Sequence, residues 1–115
     1  MISDLIPSNN EIIESLRLLK LVTLQNEVDR LVTESLSRID EVNAAIDGKR
    51  YRAARIALAQ AITAQETAMS VCDQMLEIAA KGEEENKVRR MLKVGQEACT
   101  RMERFMTALP VPEPI

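Results

Sequence analysis

The sequence predicts an all-α protein, an elongated antiparallel three-helix bundle that dimerises through its first helix. The 115 residues include one Tyr, one Phe and no Trp, so Leu, Ile, Val, Ala and Met must form the core, and most of these favour helices. Proline occurs only at position 7 and within 110–114, and apolar residues recur with helical spacing between these positions. This length suits one domain, predicted at residues 1–109 and followed by a Pro-rich extended or disordered tail at 110–115.

The first helix is predicted over residues 9–46. Ser8-Asn9-Asn10-Glu11 fits the capping box, in which the side chains of Ser8 and Glu11 each accept a hydrogen bond from the other residue's backbone amide. Apolar residues then recur every three or four positions at Leu24, Val28, Leu31, Val32, Leu36, Ile39, Val42 and Ile46. Gly48 follows as a left-handed C-cap that ends this helix.

The second helix, predicted over residues 49–81, carries two apolar stripes. One has small residues at heptad spacing and permits close helix approach: Ala54, Ala57, Ala61, Ala64 and Ala68. The other has larger residues: Leu58, Ile62, Met69, Cys72 and Leu76. A helix with two apolar stripes needs two neighbours, which the middle helix of an antiparallel bundle has. The third helix is predicted over residues 83–109, after Gly82.

The N-terminal half of the first helix is apolar in almost every direction. Its candidate self-association face consists of Leu16, Leu18, Leu19, Leu21, Val22 and Leu24. We expect the third helix to be too short to cover this end, so the chain is predicted to form a twofold homodimer here. The alternative is a wide core face with a few exposed leucines, which are common on protein surfaces.

The net charge is −3 and the isoelectric point is near 5.1, but one basic cluster stands out at the start of the second helix. This candidate basic patch consists of Lys49, Arg50, Arg52 and Arg55. With Tyr51 as a stacking platform it could bind nucleic acid. Neutralisation by acids of the preceding helix is the favoured interpretation, and these acids are Asp40, Glu41 and Asp47.

The composition argues against most catalytic chemistry. There is no His, which removes the commonest general base and the ligand that di-iron bundles require. Cys72 and Cys99 lie on apolar stripes at unequal distances from Gly82, so we expect two small hydrophobic side chains and no disulfide. Three isolated glycines form no phosphate-binding loop. No enzyme activity, cofactor or metal site is therefore predicted.

The function predicted is that of a non-enzymatic helical protein–protein interaction module, a small cytoplasmic adaptor or chaperone-like protein. Its partners are expected to be a second copy and an unidentified protein, with no nucleic acid or membrane. A cytoplasmic location is expected because Met1–Asn10 lacks the pattern of a signal peptide. Methionines on the second and third helices suit either core filling or a groove for a partner helix. The alternatives are a nucleic-acid-binding regulator and a small-ligand carrier or enzyme with a pocket.

Overall fold

The computed structural model of the protein describes residues 8–111, which form three α-helices: α1 (Asn9–Asp47), α2 (Tyr51–Ile78) and α3 (Glu83–Ala108). The predicted all-α bundle is confirmed, and each predicted helix end lies within three residues of the observed one. The molecule is elongated, 77 × 23 × 19 Å. Of the predicted tail, Pro110 and Val111 are exposed and non-helical, and residues 112–115 lie outside the described range.

The start of α1 is as predicted, but the turn after it is not. Ser8 Oγ accepts from the Glu11 amide at 3.2 Å, and a Glu11 carboxylate oxygen accepts from the Ser8 amide at 3.3 Å. The prediction that Gly48 is left-handed is wrong, because Gly48 has φ −87° and Lys49 has φ +57°. Amides of Lys49 and Arg50 donate to α1 carbonyls in the Schellman pattern, so α2 begins at Tyr51 and not at residue 49.

The two predicted stripes of α2 face different helices. All five alanines of the first stripe, which we term the alanine seam, are at most 5% exposed. The seam packs on α1, with Ala54 beside Val42 at one end and Ala68 beside Val28 at the other. Small side chains here let the helices approach closely, and the buried Ser35 hydroxyl of α1 donates to the Ala61 carbonyl of α2 at 3.1 Å.

The larger stripe of α2 packs on α3. One shared core cluster contains Cys72 of this stripe and Val88 of α3, and Leu76 packs against it. The close approach of α3 to α2 requires a glycine at position 95 of α3, since a Cβ atom there would lie 2.9 Å from Met69 Cγ. α2 is therefore the central helix of the bundle, with a neighbour on each stripe.

α1 and α3 do not pack on each other along their length. No Cα of α1 comes within 8 Å of a Cα of α3 in the range 8–111. The reason lies in α2, because at 100° per residue its two stripes are centred about 85° apart. Neighbours held at this angle occupy three corners of a square, as in a four-helix bundle, and leave the fourth corner open.

We predict that Ala61→Leu, which adds a large side chain to the alanine seam, lowers the free energy of unfolding by about 1–3 kcal/mol or more. Ala61 is 0% exposed and has no space for the added atoms, whereas Ala53→Leu changes an exposed residue of the same helix and serves as the control. Urea denaturation followed by circular dichroism measures both. Equal stability of the two variants would contradict close α1–α2 packing.

Candidate functional site

The open corner of the square is an apolar groove between α1 and α3, with α2 as its floor. Its volume is about 810 Å³. The floor consists of Gln65, Ala68, Met69 and Cys72. The α1 wall consists of Gln25, Val28, Asp29, Val32, Thr33 and Leu36, and the α3 wall of Lys87, Arg90, Met91, Val94, Gly95 and Ala98. We refer to this surface as the α1–α3 groove.

The groove extends over about four helical turns. A smaller recess, lined by Leu21, Val22 and Val88 among others, shares Gln25 and Lys87 with it and continues it towards the α2–α3 loop. From Val22 to Leu36 the α1 wall is therefore about 21 Å long at 1.5 Å per residue. On the two rims, the apolar side chains of Leu36 and Val94 are 62% and 65% exposed.

Few polar groups line this surface. Asp29 on the α1 rim accepts a hydrogen bond from the Gln25 amide group at 2.9 Å. Lys87 and Arg90 are exposed on the α3 rim, and neither forms an ion pair with any residue between Ser8 and Val111. The groove is thus an apolar trough with an acidic and a basic edge.

α1 projects beyond the end of α2, and we call residues 9–22, which include this projection and the turn after it, the N-terminal segment. α2 ends at Ile78, whose carbonyl accepts from Arg17 Nη1 at 3.0 Å, so the residues before Arg17 extend past it. This segment carries six apolar side chains that are 43–64% exposed: Ile12, Ile13, Leu16, Leu18, Leu19 and Val22.

The structure divides the predicted self-association face into two groups. Leu16, Leu18, Leu19 and Val22 are exposed, whereas Leu21 and Leu24 are half-buried and pack against the core. Ile12 and Ile13 are also exposed, although they are not part of the predicted face.

A cluster of charges at the α2–α3 loop links the three helices, and it is not among the residues predicted from the sequence. The Arg17 guanidinium of α1 contacts Glu84 of α3 at 2.7 Å and Glu14 of its own helix at 2.6 Å, besides the Ile78 carbonyl of α2. Glu84 also accepts from the Ala80 amide at 3.2 Å. Hydrogen bonds from Arg17 lower the pKa of both carboxyl groups. Arg17 stands out in the sequence as a charge within the leucine-rich run, but no local pattern identifies Glu84 as its partner.

Two cations of the candidate basic patch are held by backbone carbonyls at helix ends. Arg55 donates to the carbonyl of Leu109 at 2.8 Å, at the C-terminal end of α3, and Arg50 donates to that of Ala44 at 3.4 Å, near the end of α1. Such positions favour cations because the C-terminal end of a helix is the negative end of its dipole. The predicted neutralisation of the patch by acids of α1 involves no direct ion pair within residues 8–111. Glu41, one of these acids, pairs instead with Arg38.

Comparisons with known proteins add no family to this description. No protein-family model, no curated protein and no solved structure matches the chain. Among the described residues, no group of three or more Cys, Asp or Glu could hold a metal ion, and none of the helices is both long and apolar enough to cross a bilayer. The surfaces above are therefore the basis for a functional proposal.

We predict that Cys72 and Cys99 react slowly with thiol reagents in the folded protein. Both are free and buried, and burial raises the pKa of both thiols, so they stay protonated near neutral pH. Reaction with an aromatic disulfide reagent should be slow until urea unfolds the chain. Rapid labelling of either thiol in the native protein would contradict this placement.

We also predict that Arg17→Met lowers the thermal midpoint at pH 7 and that its effect diminishes in acid. Glu84 and Glu14 have folded pKa values below the ordinary 4.5, so their bonds to Arg17 stabilise the protein above this pH and are lost as the pH falls through the folded pKa. Calorimetry from pH 7 to pH 3 measures the difference from the natural sequence.

Arg30→Met is the matched control for this experiment. Arg30 pairs with Glu27 at 2.6 Å on the exposed surface of the same helix and joins no other element. Its effect should be small, since exposed ion pairs add little stability. A pH-independent loss for Arg17→Met would assign its role to packing and to the Ile78 carbonyl, and not to the two carboxylates.

Proposed function

We propose that this chain is a non-enzymatic protein–protein interaction module of the cytoplasm, which binds an amphipathic helix in the α1–α3 groove. The single observation that carries the proposal is the open fourth corner of the bundle. Three helices that would surround a fourth leave apolar side chains of all three facing the same empty position. A docked helix would complete a four-helix bundle and remove these side chains from water.

The dimensions and chemistry of the groove suit a helix. A trough of about 21 Å matches 14 residues of helix, enough for anchors at positions i, i+4, i+7 and i+11. Met69 on the floor and Met91 on the wall can adjust to the anchors of a partner, because the methionine side chain is unbranched and flexible. Burial of each Leu or Ile anchor contributes about 1.5–3 kcal/mol before the costs of association.

Two other functions have less support. A small-ligand carrier would be expected to enclose its ligand, whereas this groove is open along its length. Nucleic-acid binding through the start of α2 would draw on Arg50 and Arg55, whose guanidinium groups each already donate to a backbone carbonyl of this chain. The cytoplasmic location is supported by two thiols that are not joined in a disulfide.

A labelled synthetic helix provides the test. The probe is an 18-residue peptide with Leu at i, i+4, i+7 and i+11 in an Ala, Glu and Lys background, followed by fluorescence anisotropy. We expect saturable binding that Val94→Glu weakens at least tenfold, since it places a carboxylate on the apolar rim. Val94 is 65% exposed, so the fold should tolerate the change.

Ile56→Glu is the control, because Ile56 is 56% exposed on α2 and lies outside the groove. It should bind the peptide as the natural sequence does. Equal affinities of the Val94→Glu and Ile56→Glu proteins, or no binding by any of them, would contradict the proposal.

A further inference from the structure

We infer that the partner helix of the α1–α3 groove has flanks of opposite charge, with basic side chains towards α1 and acidic side chains towards α3. The inference rests on the proposed function, because it specifies the chemistry of the helix that enters the same groove. An apolar trough alone accepts many amphipathic helices, so the selection among them depends on the charged edges of the groove. These two edges carry opposite charges.

The α1 edge of the groove is acidic. Asp29 lies on this edge, and Asp40 and Asp47 follow 11 and 7 residues later, beyond the groove. Both spacings are close to whole numbers of turns, so the three exposed carboxylates share one line along α1. Asp29 accepts a hydrogen bond from Gln25, and none of the three forms an ion pair within residues 8–111.

The bases of α1 lie on its other faces. Arg30 pairs with Glu27 at 2.6 Å and Arg38 pairs with Glu41 at 3.1 Å, both within this helix. At 100° per residue, every Lys and Arg of α1 lies about 100° or more around the helix axis from Asp29. The acidic edge therefore has no base beside it on its own helix.

The α3 edge of the groove is basic. Lys87 and Arg90 line the groove, and Arg101 continues the edge 11 residues after Arg90, which is about three turns. All three are exposed and form no ion pair with any residue in the described part of the chain. Glu97 is the one acid on this line, so the edge keeps a net positive charge.

A helix in the open corner presents its apolar stripe to the groove and one flank to each edge. Bases on the flank near Asp29 and acids on the flank near Lys87 and Arg90 are attracted to these edges. A helix with the same charge on both flanks is repelled at one of them. Exposed ion pairs add little affinity, whereas charge complementarity excludes wrong partners and speeds association. The edges therefore act mainly on the choice of partner.

A second copy of the chain offers too short a free helix to fill the groove. α1 projects beyond the end of α2 only over residues 9–16 of the described chain, about 12 Å of helix. The groove is about 21 Å long, and from Arg17 onwards α1 is accompanied by the α2 and α3 of its own copy. The occupant is therefore a helix of another protein.

Three 18-residue peptides with the Leu stripe of the labelled probe test the charge pattern. The separated peptide has Lys on one flank and Glu on the other, the mixed peptide alternates the same Lys and Glu residues along both flanks, and the all-Lys peptide has Lys on both. Since a helix can enter the groove in either direction, separated charges are compared with mixed ones. In anisotropy titrations at about 50 mM salt, the natural chain should bind the separated peptide at least threefold more tightly than the other two, and about 500 mM salt should reduce this difference by screening.

Reversing the charge of the α3 edge should reverse the preference. Lys87→Glu/Arg90→Glu makes both edges acidic, so this variant should bind the all-Lys peptide more tightly than the separated one. Arg89→Glu/Lys93→Glu is the matched control, because it makes the same change of charge on exposed residues of α3 that do not line the groove. It gives up only the exposed Arg89–Glu85 pair and should keep the natural order of affinities.

The outcomes separate failure of the inference from failure of the proposed function. A preference for the separated peptide that only the Lys87→Glu/Arg90→Glu variant reverses supports the inference. If the natural chain binds the peptides without this preference, or the control reverses it too, the inference is overturned and the groove selects an apolar stripe alone. If none of the three peptides binds, the proposed function is overturned as well. A natural chain that sediments as a dimer and becomes a monomer on addition of the separated peptide would overturn the helix of another protein in favour of a second copy.

Discussion

The alanine seam of α2 is the constraint on which the rest of the structure depends. Five residues without bulky side chains bring α1 close enough for the buried Ser35 hydroxyl to reach a carbonyl of the facing helix. The close contact fixes one neighbour of α2, and the larger stripe about 85° away fixes the other. Because this angle is close to that of a square, α1 and α3 stand apart, and the α1–α3 groove follows from the pattern of two stripes on one helix.

The sequence was sufficient for the parts of the fold that depend on local pattern. Periodic apolar residues located the helices, the Ser8 capping box marked the first helix start, and alanines at heptad spacing identified a close contact. The turn between α1 and α2 was harder to predict, because the last hydrogen bonds of α1 determine which residue is left-handed. That helix continues through Asp47, so the left-handed residue is Lys49 and not the predicted Gly48.

The candidate surfaces were only partly predictable. The leucine-rich half of α1 was evident, but Leu21 and Leu24 could not be told from their exposed neighbours, because the register of the α1–α2 pair decides which residues meet α2. The Arg17–Glu84 contact joins positions 67 residues apart, and no local pattern indicates it. For the basic patch, the sequence suggested acids as partners, whereas Arg55 instead donates to a carbonyl at the end of α3.

The central claim is that the open corner of the bundle binds a helix, and the backbone amide NMR signals during titration with the 18-residue peptide test it most directly. A bound helix changes the surroundings of the residues that it contacts, and their amide signals shift. The signals of residues 22–36 of α1 and 87–98 of α3, which line the groove, should shift, while those of residues 40–57, away from the groove, should stay unchanged. Shifts spread evenly over the chain, or no shifts at all, would contradict the account.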